Sequence, residues 1–365
     1  MAIRTHAELR DHLALAMRVE LSTIPPYLYA MYSLQDARSV AARLLLSIVA
    51  EEMLHLALAA NILVAVGGDP DFLDAALPPV HPGVLAHHRP DLELHLAPVS
   101  VELIRCTFMV VERPGAAEAR QEADGYHTLG QFYAAIEGAI ARLAAHGRLF
   151  APRPGTRQVA GHHFYGVVEF DAADSGDLVE VHDIATATQA IEIIVRQGEG
   201  LGEHRWADPA HQELTHYAKL AQMVDGTTPL GPVLPVRVNP RTADYPAHVR
   251  PVSDLFNGTY AALFHVLQAL YHGAGKQGQL VGLLYRLMSG TLGPLARHLT
   301  TLPLGDGTVA SATFERLDLG PEPALGLTNL VVAALAADPA LADVVAPLLA
   351  GDALVALVAL RQPAG

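Results

Sequence analysis

Cysteine is almost missing. The 365 residues hold one, Cys106, which excludes an intramolecular disulfide framework, a Cys-rich zinc site and a four-cysteine iron–sulfur cluster. Any metal must therefore be held by oxygen and nitrogen donors. Basic side chains are also scarce: 24 Lys and Arg stand against 38 Asp and Glu, a formal charge of −14 at pH 7. Nucleic-acid binders usually carry a basic patch, so no nucleic-acid partner is expected, while an acidic balance suits a carboxylate-rich metal site. Uninterrupted apolar runs are short. A membrane-spanning helix needs about 20 such residues, and the most apolar tail, 329–361, is broken by Asp338-Pro339, Asp343, Pro347 and Gly351-Asp352. The opening Met1-Ala-Ile-Arg-Thr-His runs straight into a charged amphipathic segment, unlike a signal peptide. These features predict a cytoplasmic protein with no membrane partner.

Apolar residues are plentiful. They make up 51% of the chain, with a mean hydropathy of +0.26, enough for a sizeable core. The pattern is predominantly helical. Residues 6–34 read as a helix with apolar positions at Leu9, Leu13, Ala16, Met17, Leu21 and Ile24, and Pro25-Pro26 should kink or interrupt it. Residues 39–66 read as a helix that is apolar nearly all round, with Ser39 as N-cap and Gly67-Gly68 as the stop. An irregular Pro-, His- and Asp-rich connection covers 69–99, and Ser100 caps a helix ending at Arg113-Pro114. Residues 115–127 read as a loop. Thr128–Leu143 follows as a helix with Phe132, Ile136, Ala139 and Ile140 on one face, and the split apolar runs within 157–182 suggest a small hairpin. Helices at 184–197 and 210–224 flank a Gly-rich turn. Composition then shifts to a linker over 225–254, and 254–300 and 326–361 are helical in pattern. The length exceeds that of one typical compact domain, so two closely packed units are expected: a bundle over 1–235 and a helical C-terminal region over 236–365.

The informative residues are charged groups inside apolar helices. Glu51, Glu52 and His55 lie midway along 39–66, and Glu52 and His55, three apart, share a face. An unpaired buried carboxylate costs several kcal/mol in order of magnitude, and a bound cation is the simplest compensation. A second Glu-x-x-His is Glu213-Leu-Thr-His216, and Glu20 sits midway along the first helix. A di-metal carboxylate bundle takes one Glu from each of two helices and a Glu-x-x-His from each of two others. Glu20, Glu52, His55, Glu213 and His216 fill five of these six places.

For the sixth, Glu192 is the first choice. A short turn makes 184–197 and 210–224 antiparallel neighbours, which brings Glu192 and Glu213 to similar depth. Glu137 is the second choice, with Glu112 and Glu199 behind it. Glu51 reads as a supporting residue, paired with Arg43 or another cation. His81, His87, His88 and His95, together with His162 and His163, read as surface histidines. Tyr27, Tyr29 and Tyr32 read as core or rim aromatics, with Tyr27, two turns after Glu20, within reach of the metal pocket. One Glu-x-x-His is weak evidence by itself; two in apolar surroundings, with Glu20 in the right order, carry more. The competing explanation is a structural helical protein whose buried charges pair among themselves.

Four of these stretches resemble a known family. Glu20-Leu-Ser-Thr-Ile-Pro-Pro-Tyr-Leu-Tyr, Glu51-Glu-Met-Leu-His-Leu, Gln189-Ala-Ile-Glu-Ile-Ile-Val-Arg-Gln-Gly-Glu-Gly and Glu213-Leu-Thr-His-Tyr are similar to the ferritin-like domain of the iminophenyl-pyruvate dimer synthases of violacein and indolocarbazole biosynthesis. The similarity runs on through Phe256-Asn-Gly-Thr-Tyr260 and Leu292-Gly-Pro-Leu-Ala296. The resemblance implies an all-α ferritin-like four-helix bundle with added C-terminal helices, and oxidative chemistry on small aromatic metabolites. Carboxylates with two imidazoles suit two iron ions, with Mn or mixed Mn/Fe as alternatives. A metal-dependent oxidoreductase is expected, taking O2 and a small imine-type substrate in specialised metabolism. The alternative is a ferroxidase or storage protein without an organic substrate. Either is compatible with an oligomer.

Overall fold

The computed structural model describes residues 3–86, 88, 90–114, 126–160, 178–198 and 214–349. Helix α1 (His6–Ser33) opens with a capping box. Thr5 Oγ1 accepts from the Glu8 N–H at 3.1 Å, and the Glu8 carboxylate accepts from the Thr5 N–H at 2.9 Å. The sequence predicts a kink or an interruption at Pro25-Pro26, and α1 runs through both prolines without interruption. The lost backbone donor is replaced from outside: the Ser22 carbonyl, which Pro26 cannot serve, accepts from His81 Nε2 at 3.0 Å.

Helix α2 (Val40–Ala65) is capped by Ser39, which accepts from the Ala42 N–H at 3.2 Å. It ends in a left-handed Gly67, with the Gly68 N–H reaching back to the Leu63 carbonyl at 2.8 Å. By length and hydropathy α2 could cross a membrane, but 89% of its most apolar window is buried inside the protein, as befits a core helix. Helices α1 and α2 pack along their lengths and form the centre of the bundle.

The connection after α2 holds the small sheet, β1 (Gly83–Val84) antiparallel to β2 (Glu93–Leu94). This pair lies in the stretch read as irregular, whereas most of the hairpin expected within 157–182 falls outside the described residues. Ser100 then caps a segment in three parts: α3 (Val101–Leu103), a π-helical turn at Ile104–Phe108, and α4 (Met109–Val111). Helices α5 (Leu129–Ala145) and α6 (Ile184–Gln197) follow, each with a side-chain N-cap, Thr128 and Asp183. The apolar face read for α5 is buried, with Tyr133 added to it.

Helix α7 (His216–Val224) starts later than the sequence suggests. Thr215 is its N-cap, accepting from the Ala218 N–H at 3.2 Å, so His216 is the first helical residue rather than the last of an intrahelical Glu-x-x-His. All but Gly198 of the expected Gly-rich turn at 198–202, together with Glu199 and Glu213, lies outside the described residues.

The C-terminal part comprises α8 (Arg250–Tyr271), α9 (Gln277–Leu287), a second π turn at Met288–Leu292, α10 (Gly293–Leu299), α11 (Pro323–Ala337) and α12 (Ala342–Leu349). It is tied directly to the bundle. Arg297 donates to the Met31, Tyr32 and Leu34 carbonyls at 2.8–3.2 Å, closing the C-terminus of α1. Tyr29 donates to the Arg237 carbonyl, and Tyr271 to the Ala57 carbonyl of α2 at 3.2 Å. Thr242, Ser253, Asn257 and Thr313 satisfy one another in a buried polar network beside α8.

Candidate metal centre

Burial selects the site. Glu20 from α1, Glu52 and His55 from α2, Glu112 at the end of α4 and His216 at the start of α7 are each no more than 2% exposed. They form two overlapping groups whose potential ligand atoms lie within 4.8 Å of one another: Glu20, Glu52 and His55, then Glu52, Glu112 and His216. Glu52 belongs to both. Each position thus has one imidazole, one carboxylate of its own and a shared carboxylate.

The imidazoles are aimed alike. His55 Nδ1 lies 3.6 Å from both Glu20 Oε2 and Glu52 Oε1. His216 Nδ1 lies 3.1 Å from Glu52 Oε1 and 3.4 Å from Glu112 Oε2. The outer nitrogens are occupied: His55 Nε2 meets Gln197 Oε1 at 2.9 Å, and His216 Nε2 meets Glu51 Oε2 at 2.7 Å. A donor role for Nε2 fixes the tautomer and leaves Nδ1 for an ion. The rings stack at 5.4 Å between centroids.

The carboxylates are steadied by hydroxyls. Thr23 donates to Glu52 Oε2 at 2.5 Å, Tyr133 to Glu20 Oε1 at 2.5 Å, and Tyr27 to Glu112 Oε1 at 2.6 Å. Two buried polar atoms then remain without a hydrogen bond, His216 Nδ1 and Glu112 Oε2. Such orphans are costly unless something serves them. Two lone-pair donors facing each other across 3.4 Å are what a cation would bridge, so the residues present fit a metal. The cavity bounded by Glu20, Glu52, His55, Glu112 and Tyr133 has about 10 Å³ of room for the centre of a water-sized sphere, about one water molecule or ion.

The electrostatics agree with a site that holds positive charge. Burial pushes the Glu20 carboxyl up to about 7, opposed by its His55 contact. Burial also acts upward on Glu52, but His216 and His55 outweigh it and hold this carboxyl far below the usual range. For His55 burial acts downward, and Glu20 and Glu52 lift it to about 9. For His216 burial is outweighed by Glu112, Glu51 and Glu52, which raise it well above its ordinary value. Protons on the two imidazoles thus balance charge that divalent ions would balance in their place.

The structure brings together Glu20, Glu52, His55 and His216 of the sequence-derived set. It does not bring in Glu192, which is exposed on α6 and paired with Arg196 at 3.2 Å. The inference that Glu192 matches the depth of Glu213 addressed position along the helix but not rotation about it: the buried face of α6 carries Ala187, Ala190, Ile191 and Ile194. Glu137 is half-buried on α5 and also outside the cluster; Tyr133, one turn earlier, is the α5 residue that reaches it. Glu112, ranked behind both, takes the place.

Glu51 is paired with Lys219 rather than Arg43, at 2.6 and 2.9 Å. Among the remaining histidines, His88 is buried and bonded to the Pro90 carbonyl, not at the surface. His95 contacts Glu93 and Asn239. His87, His162 and His163 lie outside the described residues.

Buried carboxylates and imidazoles converging from several helices onto two adjoining positions define a helical-bundle protein with a candidate two-ion centre. The chain belongs to the Ferritin-like family, whose model matches residues 13–225, the stretch that carries every residue of the cluster. Two curated relatives match over most of this chain. The "2-imino-3-(indol-3-yl)propanoate dimerase" of Chromobacterium violaceum is 27% identical over 346 residues, which cover 83% of this chain and 33% of the relative. The "dichlorochromopyrrolate synthase" of Lentzea aerocolonigenes is 24% identical over 309 residues, 74% of this chain and 29% of the relative. The chain therefore spans about a third of the length of these relatives. A ferritin-like protein from Caulobacter vibrioides has the same fold, with a TM-score of 0.60 at 21% identity, covering 86% of this chain and all of that one.

Proposed function

We propose that this chain is a dinuclear metal oxidase of specialised metabolism, holding two iron ions through Glu20, Glu52, His55, Glu112 and His216 and acting on a small aromatic imine. The observation that carries the reading is the pair of buried, hydrogen-bond-orphaned atoms, His216 Nδ1 and Glu112 Oε2, facing each other beside a carboxylate shared with a second such group. Glu213 remains the sequence's candidate for a further ligand. Reduced iron, when bound, supplies electrons to O2. The protein's own residues do the rest. Glu52 fixes the spacing between the two positions, Thr23, Tyr27 and Tyr133 orient the carboxylates, and the apolar walls exclude water. The substrate class is taken from the relatives, whose names describe an imine dimerase and a chromopyrrolate synthase. Joining two imines through one new carbon–carbon bond releases two electrons and two protons, which O2 accepts as H2O2.

The test is O2 uptake by the iron-loaded protein with and without an aryl 2-iminopropanoate, with products followed by mass spectrometry. Substrate-dependent uptake and a dimeric product support the reading. The small cavity favours a second reading, a ferroxidase without an organic substrate, which predicts Fe(II)-dependent uptake that an imine leaves unchanged.

A further inference from the structure

The two imidazoles of the centre present the same nitrogen inward but are backed differently. Behind His55 stands a neutral amide, Gln197 Oε1 at 2.9 Å; behind His216 stands a carboxylate, Glu51 Oε2 at 2.7 Å. That carboxylate is gripped by Lys219 Nζ through both oxygens, at 2.6 and 2.9 Å. Gln197, Glu51 and Lys219 are all buried. A buried ion pair is a poor source of stability compared with apolar side chains of the same size, so its position directly behind an inward-facing imidazole points to a different role. A charged acceptor makes a shorter and stronger hydrogen bond than an amide. It draws the Nε2 proton and raises the basicity of Nδ1 as a ligand. Lys219 holds Glu51 in place against His216, one helical turn from Lys219 itself.

We infer that the two ion positions are inequivalent: the Lys219–Glu51–His216 chain makes the His216 position the tighter one, so that it fills first. Lys219 and Glu51 are positioning residues in this arrangement, acting on the ion through His216. The inference rests on reading the cluster as a two-ion centre.

Cobalt(II) titration of the full chain against a competing chelator, followed by its visible d–d absorption, tests it without any turnover. Wild type should fill in two steps separated by roughly tenfold or more in affinity. His55→Ala should keep the tight step and lose the weak one, and His216→Ala should do the reverse. Glu51→Gln combined with Lys219→Met should weaken the tight step by roughly 10- to 100-fold and leave the weak step in place. Gln197→Glu should strengthen the weak step. Two equal steps in wild type, or a tight step that survives His216→Ala, overturns the inference. If the Glu51/Lys219 double variant fails to fold, as judged by circular dichroism, the two histidine variants decide the matter alone. A wild type that binds no cobalt contradicts the two-ion reading itself, an outcome distinct from two equal steps.

Discussion

Glu112 and Glu192 carry the same carboxylate to opposite ends of exposure. Glu112 is fully buried and lies in one candidate ligand group with Glu52 and His216, whereas Glu192 pairs with Arg196 at the surface. Glu112→Gln should therefore lower bound metal toward one ion per chain, while Glu192→Gln and Glu137→Gln leave it near wild type, as elemental analysis of the three purified variants would show. Retention of metal by Glu112→Gln together with its loss in Glu192→Gln would reverse the assignment. Glu52 and His55 were legible in the sequence because a charge in a helix apolar nearly all round has no solvent to face, and Glu20 because it sits midway along α1 among Met17, Leu21 and Ile24. The surface fate of Glu192 was also written there: Glu followed four residues later by Arg is the spacing of an exposed helical ion pair. Lys219 and Gln197 could not be read, since their roles depend on which helices meet.

At the scale of the element, Glu112 stands just beyond an irregular turn. It follows a π turn, which adds one residue to the helix and rotates all that come after by about 100°. Ile104, Phe108, Val111 and Glu112 are all buried, at the i, i+4, i+7, i+8 spacing of one helix face, while Arg105 and Cys106 stay exposed. Deleting the exposed Cys106 should remove the extra residue and restore regular helix; Glu112 then keeps its orientation toward His216, and bound metal should stay near wild type with helix content unchanged by circular dichroism. Loss of metal from the deletion variant would mean that the π turn itself, rather than the helix it interrupts, aims Glu112. The sequence leaves open whether α1 kinks or breaks: a proline pair predicts missing donors, but sequence alone does not show that His81, from a distant loop, will supply one to Ser22. The caps Thr5, Ser39, Ser100, Thr128 and Asp183 are local chemistry, and the starts of α1, α2, α3, α5 and α6 were accordingly close to expectation.

At the scale of the whole molecule, the centre links stability to pH. In the metal-free protein the folded state holds a proton on Glu20 up to about pH 7, against an ordinary value of 4.5, and on His55 up to about pH 9, against 6.5. A folded state that keeps protons longer than the unfolded one is favoured at low pH and loses that advantage as pH rises. Both groups therefore lower the stability of metal-free protein progressively from about pH 5 to pH 9. Glu52, held far below the usual carboxylate range, acts in the opposite sense and withdraws its contribution only in acid. Ion binding must displace the imidazole protons, so affinity rises over the same window. Scanning calorimetry should show the unfolding temperature of chelator-treated protein falling between pH 6 and 9 while the increment produced by Mn(II) grows. An increment independent of pH would separate the histidines from the metal.

The family match and the helical bundle were within reach of the sequence because they rest on long periodic segments and four separated motifs. The completion of the site was not, because it depends on which helices meet and on the contacts of α7. Metal stoichiometry after anaerobic Fe(II) reconstitution and desalting is the most direct test of the centre. The arrangement of two ligand groups sharing Glu52 predicts two ions per chain, about one in either His55→Ala or His216→Ala, and none retained when both histidines are replaced. Wild type that retains no iron, or a double-histidine variant as fully loaded as wild type, would contradict it.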